Sequence, residues 1–326
     1  MTLRRLQHLG LSWRVGLMLL AVSLLCDTAI AQPSVKVPPL LTPWSALTGA
    51  WVAAPLRHVP PLPGKPSFSG YLTWQAPTLI SARGNYVYLV DARRRQIFRY
   101  DISQQTMVPF VDYAAGSVAS IAVGPDLSLY VADVKARQVL HYSFEGRLLR
   151  TFANDMELAQ PVAVVLDELT GNLWVADGLR NYVVVFSSLG RVLSVLRPNE
   201  ARSIEAMAHG PDGLYLVDRL SRQVVVVGLD GADRYILGQG TLKNPGAIAV
   251  DRFNRVFVSD SFDNTIKVYE QDELVASIGN SGTTPASFNR ITSLWIDHNV
   301  LYAADALNAR ILTFHVALPG ARLPPP

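Results

Sequence analysis

Six times along the chain an apolar run ends in aspartate: VYLVD at 87–91, LYVAD at 129–133, LWVAD at 173–177, LYLVD at 214–218, VFVSD at 256–260 and LYAAD at 301–305. The aspartates are separated by 42, 44, 41, 42 and 45 residues. Six positions after each stands a β-branched residue, Ile97, Val139, Val183, Val224, Ile266 or Ile311, that opens a second apolar run. An earlier short strand in each unit, such as SIAV at 120–123 or AIAV at 247–250, and a later one, such as LLRTF at 148–152 or VLSVL at 192–196, bring the count to four strands per unit. Turn residues stand where these strands must reverse, as in GPD at 124–126, TGN at 170–172 and GPDG at 210–213. Four short strands in a period of this length are the arithmetic of a propeller blade, a small sheet that buries its faces only by stacking on its neighbours. The expected fold is all-β: a six-bladed β-propeller of four-stranded antiparallel blades over residues 77–317, closed by an N-terminal strand.

Closure is needed because the sixth unit stops after residues 311–316 and lacks its outer strand, and an unpaired strand edge invites aggregation. The first candidate for the missing strand is residues 67–74, the second residues 50–56. Both lie in a segment, residues 32–76, that holds nine prolines interleaved with Trp44, Trp51, Phe68, Tyr71 and Trp74. The prolines predict extended, wrapping chain, and the aromatics predict that it is not a purely solvated linker.

The blade pattern resembles the NHL repeat, which carries a strand like IAV, a turn with Pro-Asp-Gly and then a strand like LYVAD. The resemblance covers residues 77–316 and implies the propeller fold. The family often has Asn and Arg late in the loop after the aspartate, and here only Asn264, Asn308 and Arg310 match that feature. Propellers of related type include calcium-dependent lactonases and zinc-dependent amidating lyases, so the fold by itself leaves catalysis open.

At the N-terminus, Arg4, Arg5 and Arg14 precede an apolar run at 15–26, and Ala29-Ile30-Ala31 offers a small-x-small cleavage site before Gln32. Residues 1–31 read as a cleaved signal peptide, since a run of 12 apolar residues is short of the roughly 20 that a spanning helix needs. The mature protein is then exported, periplasmic or extracellular, with no membrane span. Removing Arg4, Arg5, Arg14 and Asp27 takes the net charge from +3 to near +1. The single cysteine, Cys26, leaves with that segment, which excludes disulfides and thiolate metal sites afterwards. Residues 318–326, ending in three prolines, read as a disordered tail.

The six aspartates invite a reading as a carboxylate ring, but each ends its strand where the chain turns, and Asp side chains there accept bonds from turn N–H groups. Catalytic propellers place ligands where the innermost strands meet the central channel. That column reads Thr78, Ala119, Val162, Glu205, Gly246 and Thr292, with Gln160, Asn244 and Asn289 in the preceding loops. One carboxylate cannot satisfy the six to eight oxygens that Ca²⁺ takes, so a Ca²⁺ site on Glu205 and Asn244 is the weaker alternative and no cofactor is expected otherwise. Zinc chemistry would need converging histidines, and His58, His141, His209, His298 and His315 share no column near the channel mouth.

The loops after the aspartates carry Arg93, Arg94, Arg95, Lys135 and Arg137 on the first two units, with Arg180, Arg222 and Arg310 further on, and Leu179, Leu220, Phe262 and Leu307 on the last four. Either these are solvated basic turns whose apolar groups pack on neighbouring loops, or they form a binding face, since apolar groups beside arginine are what interfaces use. The first functional hypothesis is a non-enzymatic exported propeller that binds a partner protein or an anionic envelope polysaccharide through Arg93, Arg95, Lys135, Arg137, Leu179, Leu220, Arg222, Phe262 and Leu307. Nucleic acid is a poor fit to an exported chain of near-neutral charge. The second hypothesis is a divalent-cation-dependent lactonase or lyase built around Glu205.

Overall fold

The computed structural model describes residues 39–52, 70–114 and 116–319. The expected signal peptide, residues 32–38 and 53–69 of the arm, and the tail from 320 lie outside them. The described chain forms six sheets, each built on a four-stranded antiparallel blade, arranged as a six-bladed propeller. The innermost strands are Pro77–Arg83, Val118–Val123, Pro161–Leu166, Ile204–Gly210, Pro245–Val250 and Ile291–Asp297. Each lies beside the innermost strands of its two neighbours, and the last lies beside the first, so the ring closes.

The second and third strands of a blade are apolar on both faces, as in Leu173–Asp177 and Tyr182–Phe186, which are buried throughout. Their alternate side chains serve two different cores. Leu173 and Val175 pack towards blade 2, while Trp174 and Ala176 pack towards blade 4. In blade 4, Leu214 and Leu216 face blade 3, and Tyr215 and Val217 face blade 5. The apolar interior is thus divided into six clusters, one at each blade–blade seam. The outermost strands, such as Leu148–Ala153 and Glu273–Ile278, face a neighbour only in part and are largely exposed.

The repeated aspartates do the work expected of turn residues. Asp91, Asp177, Asp218, Asp260 and Asp305 are wholly buried. Asp177 accepts the N–H groups of Ala159 and Gln160 from the loop entering its own blade, and those of Leu179 and Arg180 from the turn that follows it. Asp91, Asp218, Asp260 and Asp305 likewise accept N–H groups from their entering loops, at Gln75 and Ala76, Arg202, Lys243 and Asn244, and Asn289 and Arg290. Each carboxylate therefore ties two loops together and holds both on one face of the propeller.

The last seam is held from inside and outside. Within the ring, Ser293 Oγ accepts the Ile80 N–H at 3.1 Å, Trp295 Nε1 donates to the Ala82 carbonyl at 2.7 Å, and Asp297 Oδ2 accepts the Gly84 N–H at 2.7 Å. Outside, Leu41–Leu47 pairs antiparallel with Arg310–Val316 and completes blade 6, with Leu41 entering the core between blades 5 and 6. The closing strand is thus N-terminal but is neither expected candidate. The stretch before Pro77 is used in reaching the innermost position of blade 1: Trp74 is buried against Phe98, and Tyr71–Thr73 pairs with Gly49–Val52. Gly49–Val52, the start of the second candidate, pairs in parallel with Thr106–Asp112 of blade 1. Gly49 is needed there, because a Cβ would collide with the Leu72 carbonyl. The arm therefore spans the junction of blades 6 and 1.

Deleting residues 1–47 should leave the Arg310–Val316 edge bare and lower Tm by roughly 10 °C, about 3 kcal/mol in a chain of this size, with aggregation on heating. Scanning calorimetry with an unchanged transition would show closure from within the repeats. A second test concerns Asp260. Burial alone would raise its pKa, but the N–H groups of Lys243, Phe262 and Asn244 and the Lys267 ammonium 3.0 Å away outweigh burial and bring it below the ordinary carboxylate value. A depressed folded pKa means that its contribution is present above about pH 4 and is lost as pH falls through the folded value. Asp260→Asn should cost about 3 kcal/mol at pH 7, the scale for breaking a buried charge pair, and urea titrations should show the gap from wild type narrowing at pH 3.

Candidate functional site: the loop face and the channel mouth

Six equivalent turns follow the aspartates, and in each the residue four positions on has a left-handed backbone: Arg95, Arg137, Asn181, Arg222, Asn264 and Ala309, with φ between 50° and 57°. Asn181 and Asn264 suit this conformation, whereas arginine and alanine hold it at a cost. The turns present the residue two positions after the aspartate to solvent on every blade. Leu179, Leu220, Phe262 and Leu307 are 67%, 72%, 73% and 63% exposed. They are exposed rather than buried among the neighbouring loops. Arg93, Arg95, Lys135 and Arg137 are exposed on blades 1 and 2, and Arg222 on blade 4. Arg310 is buried, pairing with Asp305 and donating to the carbonyls of Thr283, Thr284 and Ser287. It braces the loop into blade 6 and is not part of the cationic surface. Arg94 turns inward as well, towards Asp91 and the Thr73 carbonyl.

At the centre of the propeller, the innermost strands line a channel of about 620 Å³. Glu205 and Asn244 do come together at its mouth on the loop face, but through Arg219. Its Nη1 donates to Glu205 Oε1 at 3.2 Å and its Nε to Asn244 Oδ1 at 3.0 Å, while Asn244 Nδ2 donates to Ser261 Oγ at 2.7 Å. A guanidinium thus lies between the two candidates and already engages Glu205 Oε1 and Asn244 Oδ1. Thr78 and Thr292 direct their hydroxyls at strand carbonyls, and Gln160, Asn244 and Asn289 use backbone N–H groups to bind the buried aspartates. Among the described residues no group of three or more His, Cys, Asp or Glu could hold a metal ion. The donor set does not fit calcium or zinc chemistry.

Two side chains of this region, Arg219 and Trp295, escaped sequence reasoning, and a third, His209, was weighed only as a zinc ligand. Arg219 directly follows a repeat aspartate, and only the fold shows that this position faces the column of Glu205. Trp295 is the one large side chain in a column of Ser81, Ala122, Val165, Ala208 and Ala249, a contrast visible in the alignment of blades. It lines the channel and packs against the cores of blades 1 to 3. His209 lines the channel at its far end, 5.0 Å from the Trp174 ring, where desolvation lowers its pKa against the opposing pull of Asp167.

No protein-family model and no curated protein matches the chain. Solved structures do share its fold. A protein of unknown function from Bacteroides thetaiotaomicron VPI-5482 is 16% identical with a TM-score of 0.61, over 74% of this chain and 70% of that one. Virginiamycin B lyase from Staphylococcus aureus is 11% identical with a TM-score of 0.55, over 74% and 96%. Kuenenia stuttgartiensis hydrazine synthase is 12% identical with a TM-score of 0.56, over 78% and 99%. At these identities the likeness establishes the propeller fold and nothing finer.

Because Arg219 neutralises Glu205, millimolar Ca²⁺ should leave Tm unchanged, whereas a native-state site at a thousand times its Kd would add about 4 kcal/mol. Differential scanning fluorimetry showing a Ca²⁺-dependent rise that Glu205→Ala abolishes would restore the metal reading.

Proposed function

We propose that this chain is an exported, non-enzymatic propeller of the NHL-repeat type whose loop face binds a partner protein. One observation carries the reading: four large apolar side chains, each more than 60% exposed, stand at equivalent positions on four successive blades. Single exposed apolar residues need no explanation, but a repeated row beside arginines has the composition of an interface. The turns that hold them are pinned by buried aspartates, so little conformational entropy is lost when they are covered. An anionic polysaccharide would use the arginines of blades 1 and 2 but would leave the apolar row uncovered, which favours protein over polymer. Export rests on the apolar run at 15–26 and the small residues before Gln32. The lyase activity named for the staphylococcal neighbour is not carried over, since Arg219 already engages Glu205 Oε1 and Asn244 Oδ1.

Crosslinking the mature protein in its own cell envelope tests this directly. Leu220→Ser and Phe262→Ser should each weaken capture of the same partner by about 1–3 kcal/mol, the range of interface anchors, with Tm within a degree or so of wild type. Unchanged capture by both variants would remove the loop face as the interface, and a fall of several degrees in Tm would mean that these side chains pack between blades.

A further inference from the structure

The turn of blade 4 differs from the other five in chemistry. Beside it lies an open depression of about 460 Å³, lined by Ser203, Arg219, Leu220, Arg222, Lys243 and Asn244. Three of these groups are cationic and none is a carboxylate. Arg219 is partly neutralised by Glu205, 3.2 Å away on the channel side. Arg222 makes no ion pair or hydrogen bond among the described residues, and Lys243 Nζ donates only to the Gly240 carbonyl. Between them Leu220 stands 72% exposed.

On the other three apolar turns the polar or charged residues that follow in sequence are engaged within the protein. Beside Leu179, Arg180 is bonded to Tyr182, whose hydroxyl also meets Glu157. Beside Phe262, Asp263 pairs with Lys267. Beside Leu307, Asn308 and Arg310 are both turned to Asp305. The blade 4 turn is also fixed in place, with Asp218 accepting the N–H groups of Ser221 at 2.9 Å and Arg202 at 2.8 Å. Arg222 holds a left-handed backbone, φ 57°, where blades 3 and 5 have asparagine. A cationic side chain stands there against the backbone preference.

We propose that this depression binds a carboxylate of the partner protein, carried on an acidic residue next to an apolar one. The carboxylate takes charge-assisted hydrogen bonds from Arg222 and Lys243, and the apolar neighbour lies on Leu220. Both halves of the recognition come from charge and surface complementarity: a simple anion would leave Leu220 uncovered, and a neutral apolar segment would leave two cations partly desolvated without a partner. This inference rests on the loop face being the interface and names what that face selects.

The test uses fluorescence anisotropy with a short labelled peptide bearing Glu-Leu pairs in a Ser/Gly background, titrated with the mature protein at low salt. Peptides with Gln-Leu or Glu-Ser pairs, and dextran sulfate as competitor, serve as comparisons. The Glu-Leu peptide should bind at least about tenfold more tightly than either other peptide. The Arg222→Gln/Lys243→Gln double variant should lose about tenfold and Leu220→Ser several-fold, while Arg93→Gln/Arg137→Gln on blades 1 and 2 should leave binding unchanged. Equal losses in the two double variants would show diffuse charge attraction and overturn the proposal. So would equal binding of the Glu-Ser peptide, displacement by dextran sulfate at equal charge, or no binding of the Glu-Leu peptide. Sedimentation showing that the wild type self-associates through this site, and that Arg222→Gln/Lys243→Gln does not, would identify a second copy as occupant and overturn it too. If Phe262→Ser weakens partner capture while Arg222→Gln/Lys243→Gln affects neither assay, the loop face stands and only this assignment falls. If none of these variants affects either assay, the proposed function falls with it.

Discussion

The structure depends first on a buried carboxylate that serves two loops at once. In a blade, the loop entering the innermost strand and the turn after the second strand both expose backbone N–H groups in a region closed off from water, and each one left unbonded would cost about 1–3 kcal/mol. The aspartate at the end of the second strand accepts from both, as Asp177 does from Ala159, Gln160, Leu179 and Arg180. On five of the six blades, at Asp91, Asp177, Asp218, Asp260 and Asp305, the carboxylate's bond to the entering loop sets the height of the innermost strand relative to its own hairpin. It also fixes the loops of that face, which among the described residues contain no regular secondary structure beyond one short 3-10 turn at Ala306–Asn308.

The second constraint is the division of the core into seams. Because alternate residues of one strand serve different neighbours, no blade is complete without both, and a ring left open would expose two half-cores at once. This explains why the junction of blades 6 and 1 carries more reinforcement than its repeat sequence supplies. Serine, tryptophan and aspartate side chains bridge it at the channel, and the N-terminal arm bridges it at the rim by adding one strand to blade 6 and two to blade 1.

A scaffold fixed in this way leaves the residues one to four positions after each aspartate free to vary in chemistry. On blades 1 and 2 they are basic, on blades 3 to 6 apolar side chains point outward, and on blade 4 the two kinds meet around Leu220. At the channel mouth the same positions act differently. Arg219 turns towards the channel and pairs with Glu205, the single acidic residue of the column.

The sequence by itself determined the propeller, the number of blades and the role of the aspartates, because these follow from local patterns repeated at constant spacing. It also named the exposed row of Leu179, Leu220, Phe262 and Leu307, since equivalent positions in a repeat share one location. It did not determine which segment closes the ring. Residues 41–47 and 67–74 are both short and aromatic, and the choice between them depends on how much chain is consumed in bringing Trp74 to the core and Pro77 to the channel. Nor could it decide whether the row packs or projects, or that Glu205 on its strand and Arg219 and Asn244 on two separate loops converge. Those outcomes depend on the distance between turns of adjacent blades, a quantity that exists only once the blades have stacked.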